Sequence, residues 1–239
     1  MSSVNSKEIE VASVGYKIAH HLNIVLFTLL AITGSLLLFP DLLSWFVYAF
    51  GYPLASLLGT PPVSTGAELA RTSHRFLGII WGVFLLVYAI YLIAFRRVEV
   101  LRPLGKPLRR QVAEAAALVK HYTLGTPLPK DVAEQLDRHN VLVAYMTMLL
   151  FIGVAMLSGS GVAIVYKDYL GLTTNDVRFL LLVHDLGFYL SLLFVFAHLY
   201  ATLHPSNRPL LLAMFGYGKV SLEWARSHMA RYVYRRGAT

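Results

Sequence analysis

Nine histidines and no cysteine define the chemistry open to this chain of 239 residues. Without thiolates there are no disulfides, thiolate metal sites, iron–sulfur clusters or covalently attached c-type haem, so any metal must be held by other donors. Two of the histidines, His184 and His198, stand fourteen residues apart in one apolar stretch. At ~100° per helical residue this spacing falls ~40° short of four full turns, so both side chains leave nearly the same side of one helix, ~21 Å apart along its axis. One helix thus offers imidazole at two levels, and other apolar stretches carry His74 and the adjacent His20 and His21. Ligands arriving in twos at different levels do not suit zinc, which takes three or four donors at one point. They suit two six-coordinate haems, each held between opposed histidines, non-covalent and therefore b-type. The alternative is a set of core histidines bonded to nearby Ser, Thr or carbonyl groups.

The elements that must position these residues are spelled out by composition. The chain is 56% hydrophobic and 14% charged with a mean hydropathy of +0.59, against ~45–50% and ~25% in soluble domains. Four long stretches lack Lys, Arg, Asp and Glu: Ile18–Pro40, Phe76–Phe95, Asn140–Tyr166 and Phe179–Asn207, the last interrupted only by Asp185. About 20 helical residues cross a hydrocarbon core of ~30 Å, so each predicts a membrane span, at about 18–40, 76–95, 140–166 and 179–204. The expected fold is an all-α integral membrane four-helix bundle binding two haems b, its membrane domain covering 18–207 between an N-terminal segment (1–17) and a basic tail (208–239). The first span is too long for a removable signal, no cleavage site follows Pro40, and it is expected to stay in the mature chain. Leu42–Leu58, with Trp45, Tyr48, Gly51, Tyr52 and Pro53, reads as an interfacial loop or short helix. Val112–Lys120 reads as a small amphipathic helix for the membrane or a partner.

The net charge of +8 is an orientation marker rather than a nucleic-acid surface. Arg96, Arg97, Arg102, Lys106, Arg109, Arg110, Lys120, Lys130 and Arg138 lie between spans two and three, and Arg208, Lys219, Arg226, Arg231, Arg235 and Arg236 in the tail, whereas the other connections hold only Arg71, Arg75, Lys167 and Arg178. By the positive-inside rule both termini and the 96–139 loop are cytoplasmic. His74 and His184 then sit toward the outside, and His198 with His20 or His21 toward the inside. Arg71 and Arg75, beside His74, are candidate partners of haem propionates as charge-assisted donors, or headgroup anchors. Gly34, Gly78 and Gly187 fall on ligand-bearing faces, where they make room for a cofactor or for a neighbouring helix. Asp185, next to a candidate ligand, is read as a charge close enough to the outer interface to reach water, with a role for His184 or in proton uptake as the functional alternative.

Over most of its length the chain resembles the cytochrome b (gamma) subunit of membrane-bound respiratory formate dehydrogenase of the formate dehydrogenase-N type. The resemblance is carried by KIAHHLNIVLFTLLAITGSLLLFP (17–40), SHRFLGI (73–79), the region 140–166, VRFLLLVHDLGFYLSLLFVFAHLYA (177–201) and GKVSLEWARSHMARYVYRR (218–236). It implies a dihaem membrane anchor for an iron–sulfur subunit and a catalytic subunit on the outer face. Electrons would run from the iron–sulfur partner through an outer and an inner haem to menaquinone or ubiquinone near the cytoplasmic side. His74 and His184 match the family's outer-haem ligands and His20 and His198 its inner-haem ligands; His21 stands where the family usually has Trp. Asn140 matches a family Asn at the quinone site, although Val141, Leu142 and Val143 replace the polar residues that usually follow it. The cytochrome b subunits of membrane-bound nickel–iron hydrogenase share the first-span K-x-x-H…T-G pattern but generally carry a fifth span, and other molybdenum or tungsten oxidoreductases use similar anchors.

Two other classes fit the residues less well. A stand-alone reductase of the ascorbate type usually shows two ligand histidines on each of two helix pairs, whereas one helix here holds two and two helices hold one each. A haem-free transporter would show repeats and broken midplane helices, and neither is visible. The expected partners are therefore an iron–sulfur subunit, a catalytic molybdenum, tungsten or nickel–iron subunit, quinone and membrane lipid.

Overall fold

The computed structural model describes residues 8–95 and 99–237; Arg96 and Arg97 of the basic connection lie outside the described residues. Among those described, ten α-helices run in the order α1 (Val14–Leu38), α2 (Ser44–Leu58), α3 (Pro62–Ala94), α4 (Leu108–Leu124), α5 (Lys130–Ala133), α6 (Val141–Val165), α7 (Thr174–Leu203), α8 (Arg208–Phe215), α9 (Leu222–His228) and α10 (Ala230–Arg235). Four of them, α1, α3, α6 and α7, are long and apolar enough to cross a membrane. Their outward faces bear large apolar side chains: on α3 alone Phe76, Ile79, Val83, Leu86, Val87, Ile90 and Ile93 are exposed. Such a surface suits lipid rather than water, because nothing among the described residues covers it.

Helix α3 is longer than its apolar run. It starts at Pro62, fourteen residues before Phe76, with proline in the first turn where its missing N–H is no loss. At ~1.5 Å per residue, 33 residues extend ~50 Å, well beyond a hydrocarbon core of ~30 Å. The polar first turns, with Glu68, Arg71 and Arg75, therefore continue the helix outside the apolar layer.

The chain divides into two compact units. One comprises Ala19–Ala94 and Leu157–His184. In it α1 and α3 run antiparallel, tied by the Trp81 indole N–H donating to Asn23 Oδ1 (2.9 Å) and by Leu36 packing on Ala70. The stretch around Leu42–Leu58, left open between loop and helix, is the helix α2, closed by Gly59 in the left-handed conformation (φ 65°). It lies against the start of α3 through Gly51 and Gly66; a Cβ on Gly51 would run into the Pro62 carbonyl and the Gly66 backbone. No other residue allows that approach.

The second unit comprises Met1–Ile18, Phe95–Met156 and Asp185–Thr239. Here the otherwise helical chain adds one short pair of strands. Glu8–Glu10 (β1) pairs antiparallel with Lys219–Ser221 (β2), Ile9 opposite Val220. The physical reason is a small core of its own: Ile9, Val11, Val220, Leu222, Met229, Tyr232 and Val233 are buried together. Gly218 (φ 78°) lets both the Val11 and Ala12 N–H groups reach its carbonyl, at 2.8 and 3.0 Å. The segments at the two ends of the chain, 8–12 and 210–236, thus form one folded piece. In the same unit α6 and α7 approach closely, since a Cβ on Gly153 would sit 2.7 Å from Ser191 Oγ and 3.0 Å from the Gly187 carbonyl. That is the helix-approach reading of Gly187; Gly78 meets nothing within 4 Å.

Candidate functional site

The histidine pair assigned to one level by sequence is brought together inside the first unit. The rings of His74, on α3, and His184, on α7, have centroids 6.1 Å apart and planes at 75°. Each ring is fixed by a hydroxyl from a different helix. Thr33 Oγ1 on α1 lies 3.0 Å from His74 Nδ1 while donating its own proton to the Leu29 carbonyl at 2.8 Å. Ser160 Oγ on α6 lies 2.9 Å from His184 Nδ1 and bonds back toward the Leu157 carbonyl at 3.4 Å. Both rings are thus held at Nδ1 by a hydroxyl, the kind of contact by which ligating histidines are usually oriented.

The residue after each hydroxyl is glycine. A Cβ on Gly34 would lie 3.1 Å from His74 Cε1, and one on Gly161 would lie 3.3 Å from His184 Cε1. Thr33-Gly34 and Ser160-Gly161 are thus the same device used twice: the hydroxyl holds the ring and the glycine leaves space for its edge. Gly34 accordingly serves His74, not the histidines of its own helix. Sequence reasoning missed Thr33, Ser160 and Gly161 as partners of these rings, although the repeated hydroxyl–glycine dipeptide in two spans was a readable signal.

This donor set can be tested against a haem. A metal–imidazole bond of ~2.0–2.1 Å, with ~1.1 Å more to the ring centre, would put two opposed axial imidazoles ~6.2 Å apart. The observed 6.1 Å fits. His74 and His184 are two imidazole donors that would hold a non-covalent b-type haem between them. Among the described residues no three His, Asp or Glu gather into a cluster for a bare metal ion.

The remaining candidates are distributed as follows. His20 is half-buried on α1, with the His21 ring edge-on at 5.8 Å. His198, exposed on α7, stacks on Phe194 with centroids 5.5 Å apart and planes at 12°. Arg71 is exposed and paired with Glu68 at 2.7 Å, while Arg75 is exposed beside it. Asp185 is half-buried. Asn140 caps α6: its Oδ1 accepts the Val143 N–H at 3.0 Å, leaving the amide NH₂ as its donor. Beside it, burial and the charge of Arg138 push His139 down to about 4, so this ring is neutral at pH 7. In the same unit His121 and His204 have centroids 6.3 Å apart, and the Tyr122 ring lies edge-on to His204 at 5.0 Å. His228 stacks on Trp224 at 4.5 Å; burial lowers its pKa, assisted by His121 and opposed by the Trp224 carbonyl.

Comparison with known families matches residues 11–217 to the family described as prokaryotic cytochrome b561. No curated protein matches the chain. The match covers all four long apolar helices and every candidate histidine ligand. With two facing imidazoles among apolar helices and a match over most of its length, the chain belongs to the prokaryotic cytochrome b561 family, membrane b-type cytochromes that bind haem b and take part in electron transfer.

Proposed function

We propose that this protein is the dihaem membrane anchor of a respiratory oxidoreductase, formate dehydrogenase before others, passing electrons from an iron–sulfur partner outside to menaquinone or ubiquinone on the cytoplasmic side. The observation that carries the reading is the His74–His184 pair, each ring oriented by a hydroxyl and cleared by a glycine. When bound between them, haem b supplies a one-electron carrier inside a layer that water and ions do not enter. His74 and His184 are assigned to the outer haem. His20 and His198 are assigned to the inner one, on their spacing and on the resemblance to the formate dehydrogenase subunit. Arg71 and Arg75 are assigned to its outer rim, with one donor of Arg71 already occupied by Glu68. Asn140, its oxygen engaged by Val143, would donate its amide N–H to a quinone carbonyl. Reducing a quinone takes two electrons and two protons; drawing the protons from the basic side while electrons arrive from the other charges the membrane without a proton channel.

Copurification from native membranes tests the assignment. Iron–sulfur and molybdenum or tungsten subunits should accompany the chain, and formate should reduce its b-type absorbance and then quinone. Reduction by hydrogen with a nickel–iron partner would move the assignment to that class. A single-subunit preparation that transfers electrons between small molecules at full rate would contradict the anchor.

The hydroxyl partners give a finer test. Hydrogen bonding at Nδ1 makes a ligating imidazole a stronger donor and favours ferric iron. Thr33→Val and Ser160→Ala should each raise the midpoint potential of one haem by about 40 mV, the one-electron equivalent of ~1 kcal/mol. The other haem should not move. Equal shifts of both, or none, would remove these hydroxyls from the ligand sphere.

A further inference from the structure

We infer that α4 lies in the membrane surface as a docking element for anionic lipid, with an apolar stripe turned to the bilayer and a basic edge turned to phosphate. This helix buries polar residues beside an apolar one and leaves other apolar residues out. Gln111 and Glu114 face inward together with Leu118, Glu114 only 6% exposed, whereas Leu108 (70%), Val112 (58%) and Val119 (47%) face out. At ~100° per residue Leu108, Val112, Ala116 and Val119 fall within ~80° of one another on the helix, and Arg109 and Lys120 follow at the next ~20–40°. An apolar stripe with cationic residues along one edge is the pattern of a helix lying in an interface, and long basic side chains reach from there to headgroups.

Its inward contacts place it at that depth. Glu114 accepts the N–H of Val141, the first residue of α6, at 3.0 Å, and pairs through its other oxygen with Lys106. The Tyr145 hydroxyl, one turn further into α6, donates to Gln111 Oε1 at 2.7 Å. At the other end of α4, the Tyr122 carbonyl accepts the hydroxyl of Tyr200 near the end of α7, at 2.8 Å. Residues 114 and 122 are ~12 Å apart along a helix, close to the ~8–10 Å between packed helices. α4 therefore bridges the ends of two spanning helices, across their axes, where the hydrocarbon layer begins. Lipid is the occupant that both the stripe and the basic edge fit at this depth, since Lys and Arg near an anionic surface are drawn to its headgroups.

The absence of native cysteine makes the test direct. Single variants V112C, V119C and R110C, spin-labelled in full-length haem-loaded protein, are placed in nanodiscs of phosphatidylcholine with or without phosphatidylglycerol. The labels at 112 and 119 should show a several-fold higher ratio of oxygen to nickel-chelate accessibility than the label at 110. Adding Arg109→Gln and Lys120→Gln should lower that ratio at 112 only in the phosphatidylglycerol discs. Unchanged haem absorbance serves as the folding control. A label at 112 open to the nickel chelate in both discs would overturn the proposal, as would one closed to both reagents, which would mean that protein covers the stripe.

Discussion

Replacing His184 with alanine is expected to halve the haem content, from two per chain to one, while leaving the protein folded. Its ring is one of two axial donors at the 6.1 Å pair, and no other imidazole among the described residues stands in contact with His74. Without either imidazole the site would lack one of the two donors that would hold a non-covalent b-type group. The helix bearing His184 loses little, because its backbone turns are unchanged. His74→Ala should give the same spectrum, and His21→Ala should retain both haems, since His21 is given no ligand role. Pyridine haemochrome assay per mole of chain reads the outcome. A His184→Ala protein that keeps two haems would break the pairing.

Glu114→Ala should be the most damaging change outside the haem ligands. One carboxylate oxygen holds Lys106 and the other the first N–H of α6, and the side chains of the ion pair are 17% and 8% exposed. Removing one partner of a buried pair typically costs about 3–5 kcal/mol, and a buried donor left unsatisfied about 1–3 kcal/mol. Because Lys106 can still turn toward water, a loss of about 3 kcal/mol is expected in all. Glu114→Gln, which keeps an acceptor for Val141, should lose less. The paired replacement Lys106→Met with Glu114→Leu should recover part of the loss, since an apolar pair carries no desolvation penalty. Thermal unfolding in one detergent ranks the three. Equal stability of Glu114→Ala and the parent would mean that the connection between α3 and α6 is not anchored there.

These two cases mark where the sequence was legible. Spans and candidate ligands are visible in one dimension because charge-free runs and the spacing of His184 from His198 need no partner to be read. The rest depends on packing. Thr33 and Ser160 could as well bond only their own preceding carbonyls, as hydroxyls in apolar helices often do; contact with another helix decides otherwise. The span at 76–95 is shorter than α3 because hydropathy reports where lipid begins, not where hydrogen bonding does. Strands β1 and β2 are three residues each and come from opposite ends of the chain, so no local pattern announces them. In α4 Glu114 and Gln111 share the buried face with Leu118, and only their partners on α6 reveal why. Asn140 shows a further limit: the same residue type that suits a quinone site also caps a helix, and the structure gives it the cap.

Haem stoichiometry tests the central claim most directly. Pyridine haemochrome divided by chain concentration from amino-acid analysis, on the purified protein, should return two b-type haems per polypeptide, one for His74 with His184 and one for His20 with His198. A value of one or less in folded protein would contradict the dihaem account.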